Sequence, residues 1–202
     1  MILSPSLTAV VLAGGASSRM GTPKALLTWA GEPVAARLTR LFVEALDSAL
    51  LVLGHDGPSL HAALPPLPRA LTVVNHAPER GMLSSLQCGL RAAPAGYAAV
   101  FFLPVDYPAI SPRTIAALRD AWSAAPHAPI VLPRAGGRRG HPVLVSRAVA
   151  QELLRLPPGS AAHTVIRADE SRILYVDVED SAIHRDADDA AAFAALQKEF
   201  GG

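Results

Sequence analysis

The fold is decided by Thr8-Ala-Val-Val-Leu-Ala-Gly-Gly-Ala-Ser-Ser-Arg-Met-Gly-Thr-Pro-Lys24. Its first five residues, 8–12, form a largely apolar run rich in β-branched side chains, which is typical of a strand buried on both faces of a parallel sheet. The loop that follows lets backbone N–H groups approach an anion, because its glycines carry no Cβ. Arg19 and Lys24 add two cations to this loop. A strand that leads into such a loop at the carboxyl edge of a sheet predicts a nucleotide site.

Spacing excludes two familiar phosphate loops. A Walker A loop requires Lys directly after its last Gly, whereas two residues separate Gly21 from Lys24. A dinucleotide-binding fingerprint requires Gly at its first, third and sixth positions, and neither Gly14 nor Gly15 begins such a set. Taken by itself, the loop is also compatible with an ordinary surface turn, since Gly and Ser are common in turns.

The composition indicates one folded domain over residues 1–202. Half of the residues are apolar and 17% are charged, which excludes a disordered chain. The net charge of +1 offers no electrostatic basis for binding nucleic acid. The lone cysteine, Cys88, excludes an internal disulfide and favours a reducing compartment. No apolar run reaches the roughly 18 residues of a membrane span, so we expect a cytoplasmic protein without a signal peptide or a membrane partner.

Strand and helix patterns alternate along most of the chain. This alternation predicts an α/β fold, a three-layer α/β/α sandwich around a mostly parallel sheet, with one β-hairpin at 134–145. The predicted strands are 8–12, 49–53, 71–74, 98–103, 130–132, 143–145 and 173–176. The predicted helices are 34–46, 59–64, 82–92, 112–124, 147–154, a short one within 159–167, and 190–200.

A single carboxylate, Asp106, follows the fourth predicted strand. Ligands bind beyond the carboxyl ends of the strands in open α/β sheets, so this carboxylate is expected near the phosphate loop. It suits Mg²⁺, which takes few protein carboxylates and completes its shell with phosphate oxygens and water. The alternative is a cap on the helix that begins at Pro112, but Ser111 is better placed to cap it. We therefore favour the metal role for Asp106.

Other polar groups lie on three further segments. Ser84 and Ser85 fall in the first turn of helix 82–92, where free N–H groups and hydroxyls can meet a polar ligand, although ordinary helix-start residues would look the same. Arg138 and Arg139 lie among glycines in the predicted hairpin, whose tip would carry them toward the site, and a solvated basic turn is the alternative.

Three carboxylates, Asp186, Asp188 and Asp189, precede the closing helix. Asp189 is best placed to cap that helix. Asp186 or Asp188 could supply a second metal ligand.

Several motifs together resemble the nucleotidyltransferases that act on molybdenum cofactor, a branch of the MobA-like NTP transferases. They are Leu12-Ala-Gly-Gly-Ala-Ser-Ser-Arg-Met-Gly-Thr-Pro-Lys24, Gly81-Met-Leu-Ser-Ser-Leu-Gln-Cys-Gly-Leu90, Asp106-Tyr-Pro108, Arg139-Gly-His-Pro-Val-Leu144 and Arg185-Asp-Ala-Asp-Asp189. The resemblance spans nearly the whole chain. It implies a Rossmann-like nucleotidyltransferase fold and Mg²⁺-dependent transfer in which a phosphorylated pterin cofactor attacks the α-phosphate of a nucleoside triphosphate and expels pyrophosphate.

The resemblance also implies roles for individual residues, with Arg19, Lys24 and Asp106 as the catalytic set. Asp106 would bind Mg²⁺, with Asp186 or Asp188 as the second carboxylate. Ser84 and Ser85 would lie near the base or ribose, and Arg139 and His141 near the acceptor. The residues that would hold the nucleotide triphosphate are Leu12, Ala13, Gly14, Gly15, Arg19 and Lys24.

The donor base stays open between CTP and GTP. The segment Gly140-His-Pro-Val-Leu144 resembles the cytidylyltransferase branch, which favours CTP, whereas Ala13-Gly-Gly15 resembles the guanylyltransferase branch. A sugar phosphate or another small phosphorylated molecule is an alternative acceptor. A non-catalytic protein that delivers the mature cofactor to a molybdoenzyme is a third hypothesis, and a molybdoenzyme or chaperone is a possible protein partner.

Overall fold

The computed structural model describes residues 6–15, 21–46, 48–55 and 57–201. Within these ranges the chain forms ten strands and seven α-helices. The strands are β1 Leu7–Ala13, β2 Thr28–Trp29, β3 Glu32–Pro33, β4 Ala49–Leu53, β5 Ala70–Val74, β6 Ala99–Pro104, β7 Ile130–Ala135, β8 Arg138–Arg139, β9 Val143–Ser146 and β10 Ile173–Asp177. The helices are α1 Val34–Leu46, α2 Gly57–Ala63, α3 Met82–Ala92, α4 Pro112–Ala124, α5 Arg147–Arg155, α6 His163–Ile166 and α7 Ala190–Phe200.

The main sheet has the order β10-β7-β9-β6-β1-β4-β5, with β8 paired to β7. Strand β1 pairs in parallel with both β4 and β6, and β9 runs antiparallel to its neighbours β6 and β7. Because β1 and β6 are adjacent and parallel, their carboxyl ends lie side by side. The N–H of Val105 donates to the carbonyl of Leu12 over 3.0 Å. This register places Asp106 next to the loop that follows β1.

Helices cover both faces of the sheet. Side chains of α1, α2, α4 and α7 belong to one apolar core, which includes Phe42, Trp122 and Leu196. Side chains of α3, α5 and α6 belong to the other, which includes Leu86 and Leu153. The predicted three-layer α/β/α sandwich around a mostly parallel sheet is therefore confirmed.

Helices α1, α3, α4 and α7 have the predicted boundaries. The predicted capping residues also act as expected: the Ser111 hydroxyl accepts from the N–H of Arg113, and the Asp189 carboxylate accepts from that of Ala192. Helix α2 begins two residues before its prediction, and α6 occupies only four residues of 159–167.

The predicted hairpin is present, but its arginines do not form the tip. The turn is made by Gly136 and Gly137, both with positive φ, as a tight hairpin turn requires. Arg138 and Arg139 lie on the return strand β8, which pairs with Ala135 and Arg134 of β7. Strand β7 continues three residues beyond its predicted end, where Pro133 and Arg134 pair with β10 and Arg134 and Ala135 pair with β8.

No helix among the described residues is long and apolar enough to cross a membrane.

Candidate functional site

Three separate segments meet at the carboxyl edge of the sheet around a cavity of about 170 Å³. Gly14 and Gly15 line it from the loop after β1, Ser85 from the first turn of α3, and Asp106 from the end of β6. We call this cavity the glycine cradle. Arg19 lies outside the described residues, so its predicted role in holding phosphate stays a prediction.

The two glycines of the cradle have different surroundings. An ideal Cβ on Gly14 would lie 2.5 Å from the Oγ of Ser85, whereas a Cβ on Gly15 would meet no atom of the described residues within 4 Å. On its other side, Gly14 touches Gly54, where an added Cβ would collide with the Gly14 carbonyl. Gly14 is thus required by close packing between the loop, α3 and the end of β4, whereas Gly15 lines the cavity.

Asn75 fixes the two serines of α3. It directly follows β5, is buried, and its Nδ2 donates to the hydroxyls of Ser84 and Ser85 over 2.9 and 3.0 Å. Its Oδ1 accepts from the N–H of Ala77 over 3.0 Å. The sequence reasoning missed Asn75, although a polar residue directly after a strand, at the ligand-binding edge of the sheet, was the available signal.

Lys24 forms ion pairs with two of the carboxylates that were predicted to bind the metal ion. Its Nζ lies 2.9 Å from Asp106 Oδ1 and 3.2 Å from Asp188 Oδ1. Burial acts to lower the pKa of Lys24, but the hydrogen bonds and charges of Asp106 and Asp188 outweigh it, so that pKa is raised. The Ala187 N–H donates to the Asp106 carbonyl over 2.7 Å and docks the acidic segment on the end of β6.

The carboxylates also act on Tyr107, the residue after Asp106. Burial, followed by the negative charges of Asp186, Asp106 and Asp188, raises the pKa of the Tyr107 phenol to about 12. This phenol is therefore neutral at physiological pH. The structure thus brings both candidate second carboxylates close enough to act on Tyr107, and it places Asp188 on the same ammonium as Asp106.

A larger cavity of about 510 Å³ shares Met82 with the glycine cradle. Its wall combines apolar side chains, such as Phe102 and Ile166, with basic ones from β8 and α6. We call it the basic cavity. Both predicted acceptor residues, Arg139 and His141, line it. Arg138, which the sequence placed beside Arg139 in the hairpin, also lines it, and the lining residues that the sequence did not indicate are His163, Arg167 and His184.

His141 is a buried, neutral imidazole in the wall of the basic cavity. Its ring centroid lies 4.4 Å from that of Tyr107, and burial lowers the pKa of His141 to about 4. Its buried Nδ1 has no hydrogen-bond partner among the described residues, and the same holds for Nδ1 of His184. These buried nitrogens are hydrogen-bonding capacity that a ligand can use.

Arg139 is held by two residues from outside the hairpin, Glu170 and Tyr175 of β10. Its guanidinium lies 2.9 Å from Glu170 Oε1 and donates to the Tyr175 hydroxyl over 3.4 Å. The Tyr175 hydroxyl in turn donates to Glu170 over 2.7 Å. This network fixes the position of Arg139 at the rim of the basic cavity.

The carboxylate oxygens at the site are suitable ligands for Mg²⁺. Within the described ranges, no group of three or more His, Cys, Asp or Glu side chains could hold a metal ion by itself. Asp106 and Asp188 provide two carboxylates within 3.2 Å of one cationic position. Mg²⁺ is commonly bound by one or two carboxylates together with substrate phosphates and water.

Comparison with known proteins identifies relatives of this arrangement. A family model described as the MobA-like NTP transferase domain matches residues 9–173. A probable molybdenum cofactor guanylyltransferase of Rhodopirellula baltica is 36% identical over 126 residues, which are 60% of this chain and 58% of that relative. The molybdenum cofactor cytidylyltransferase of Escherichia coli is 26% identical over 75% of this chain and 76% of its own. Nicotine blue oxidoreductase of Paenarthrobacter nicotinovorans is 29% identical over 91% of this chain and 93% of its own.

Solved structures share the fold over almost the whole chain. Rv0371c from Mycobacterium tuberculosis superimposes with a TM-score of 0.83 at 26% identity, covering 96% of this chain and 99% of that one. A complex of Rv0371c with manganese superimposes with a TM-score of 0.76, again at 26% identity, covering 96% and 98% of the two chains. The architecture is thus that of a nucleotidyltransferase-like Rossmann fold.

Proposed function

Because the chain belongs to the MobA-like NTP transferase family, we propose that it transfers a nucleotidyl group from a nucleoside triphosphate to the phosphate of a molybdenum pterin cofactor. The observation that carries this proposal is the contact of Lys24 with both Asp106 and Asp188 beside the glycine cradle. A glycine loop alone supports phosphate binding. A cation and two carboxylates at the same place are what phosphoryl chemistry needs.

In the proposed reaction, an oxygen of the acceptor phosphate forms a bond to the α-phosphorus, and the bond from that phosphorus to pyrophosphate breaks. The protein forms no covalent bond to either substrate, so the chain's task is to position the reactants and to stabilise negative charge. The N–H groups of the glycine cradle and the ammonium of Lys24 would hold the triphosphate. Asp106 and Asp188 would hold Mg²⁺, which offsets the charge on the phosphate oxygens when it is bound.

The acceptor would occupy the basic cavity. Its aromatic and aliphatic wall suits a flat heterocycle, and Nδ1 of neutral His141, which has no partner in the described part of the chain, suits a hydrogen bond to one. Arg139 at the rim suits a phosphate, because guanidinium groups pair well with phosphate oxygens. Since the basic cavity and the glycine cradle share Met82, the two substrates would lie next to each other.

We propose CTP as the donor and GTP as the second candidate. The segment from Gly140 to Leu144 favours CTP, whereas the Gly14-Gly15 pair and the R. baltica relative favour GTP. The test is a turnover panel in which CTP, GTP, ATP and UTP are each incubated with pterin cofactor and Mg²⁺ or Mn²⁺, and pyrophosphate is measured. Preference for CTP supports the proposal, and preference for GTP rejects the cytidylyl assignment but keeps the reaction class.

A second candidate function, an oxidoreductase, follows from the similarity to nicotine blue oxidoreductase over 91% of this chain. It predicts no pyrophosphate from any triphosphate and a redox reaction of nicotine blue. Measuring both reactions on one preparation separates the two functions, and conversion of nicotine blue without pyrophosphate release would overturn nucleotidyl transfer.

A further inference from the structure

Lys24 occupies the position of a counter-ion between two carboxylates that are distant in sequence. Asp106 follows β6, and Asp188 precedes α7, yet both place an oxygen within 3.2 Å of the same ammonium. The Lys24 side chain is 13% exposed, against 31% for Asp106 and 56% for Asp188. The ammonium is therefore the innermost of the three charged groups, and water reaches the carboxylates more easily than it reaches the lysine.

A divalent cation held by Asp106 and Asp188 would lie close to the Oδ1 atoms that Lys24 now contacts. Mg²⁺ binds oxygen at 2.0–2.1 Å and keeps a nearly ideal octahedral shell. An ammonium that remained on the same oxygens would lie a few ångströms from the divalent ion. Two such like charges repel by at least about 2 kcal/mol even at the dielectric constant of water. Lys24 in its present position and a divalent ion on the same two carboxylates therefore weaken each other's binding.

We propose that Lys24 is an internal counter-ion that must leave the Asp106–Asp188 pair before a divalent cation binds there. Nucleotide phosphates provide the alternative partner for its ammonium. Binding of the nucleotide would draw Lys24 away from the carboxylates and open them to the metal ion, so the two ligands would bind cooperatively. This inference rests on the proposed function for the identity of both ligands.

Binding of Mn²⁺ to the full chain without nucleotide tests the competition. Free Mn²⁺ is measured by electron paramagnetic resonance for the wild type, Lys24→Met and Arg185→Met. The control Arg185→Met removes a positive charge close in sequence to Asp186 and Asp188, but Arg185 pairs with Glu199. We expect Lys24→Met to bind Mn²⁺ at least about tenfold more tightly than the wild type, and Arg185→Met to differ by less than about threefold.

Two results would overturn the proposal. An unchanged or weaker affinity of Lys24→Met would show that Lys24 does not compete with the metal ion. An equal increase of the Mn²⁺ affinity in both variants would show a long-range effect of charge instead of competition at the two carboxylates. Because the measurement needs neither acceptor nor turnover, its outcome is separate from that of the nucleotidyl-transfer assay.

A second measurement uses the wild type, so it does not depend on the folding of Lys24→Met. The chain contains two lysines, Lys24 and Lys198. Labelling the lysine Cε with ¹³C gives two signals, which Lys198→Arg assigns. We expect Mg²⁺ added in the presence of CTP to move the Lys24 signal and to leave that of Lys198 in place. A Lys24 signal that stays unchanged by CTP and by every Mg²⁺ concentration would contradict the displacement.

Discussion

The hydroxyl of Ser85 fills the space that a methyl group on Gly14 would need. An ideal Cβ at position 14 would lie 2.5 Å from Ser85 Oγ but 3.4 Å from Ser85 Cβ, which is an ordinary contact. The conflict is thus between the added methyl and one oxygen atom. Positions 14 and 85 are therefore coupled, because the side chain at position 85 determines whether a side chain fits at position 14.

We expect Gly14→Ala to destabilise the protein by about 1–3 kcal/mol, because an extra methyl in a tightly packed site forces its neighbours to move. Gly15→Ala is the matched control, since its Cβ would meet no atom of the described part of the chain within 4 Å, and we expect it to change the free energy of unfolding by less than about 0.5 kcal/mol. Urea unfolding measures both changes.

The double variant Gly14→Ala/Ser85→Ala tests whether the conflict lies with the hydroxyl. Removing that oxygen leaves room for the methyl, so the double variant should lose less stability than the sum of the single variants, by about 0.5–3 kcal/mol. Strict additivity would contradict the proposed contact.

Replacing Asn75 should disturb both serines at once. Asn75→Ala leaves the buried Ser85 hydroxyl without its donor and the Ala77 N–H without its acceptor, and we expect a loss of about 1–3 kcal/mol. His76→Ala changes an exposed neighbour and should cost less than about 0.5 kcal/mol. Thermal or urea unfolding compares the two, and equal stability of Asn75→Ala and the wild type would argue against the network.

The sequence predicted those helices and strands whose capping residues or apolar patterns match the surroundings that they have in the fold. Helix α4 has a capping Ser111 followed by Pro112, and α7 has the capping Asp189, so their starts were readable from local chemistry. The buried strand β1 and the carboxylate at the end of β6 were readable because parallel strands place their carboxyl ends at one edge.

The remaining parts of the site arise from contacts between distant segments. Lys24 and Asp188 are separated by 164 positions, so no local pattern relates them, and their contact could be recognised only from the fold. The role of Asn75 depends on the position of β5 beside α3. His184 reaches the basic cavity from a 3₁₀ turn, Ser181–His184, that has no apolar periodicity to reveal it.

The buried imidazole of His141 should make stability depend on pH. Its folded-state pKa of about 4 lies below the ordinary value of 6.5, so the unfolded chain binds more protons between these values. Stability should therefore fall as the pH decreases from about 6.5 toward 4. At pH 4.5 this group alone should cost about 2–3 kcal/mol relative to pH 7.

The variant His141→Phe keeps a ring against Tyr107 and removes the titrating group. We expect the loss of stability between pH 7 and 4.5, measured by urea unfolding, to be about 2–3 kcal/mol smaller in this variant than in the wild type. His163→Gln, which changes an exposed histidine of the same cavity, should retain the wild-type pH dependence. If His141→Phe also retained it, the imidazole would not be buried in its neutral form.

The central claim is that Asp106 belongs to a nucleotidyl-transfer site, and the direct measurement is pyrophosphate release by Asp106→Asn with the preferred triphosphate and pterin cofactor. The substitution keeps the shape of the side chain and removes its charge. Asp189→Asn is the control, because Asp189 caps α7. We predict that Asp106→Asn lowers kcat by about 100-fold or more and that the control keeps wild-type turnover. Near-normal turnover of Asp106→Asn would contradict the account.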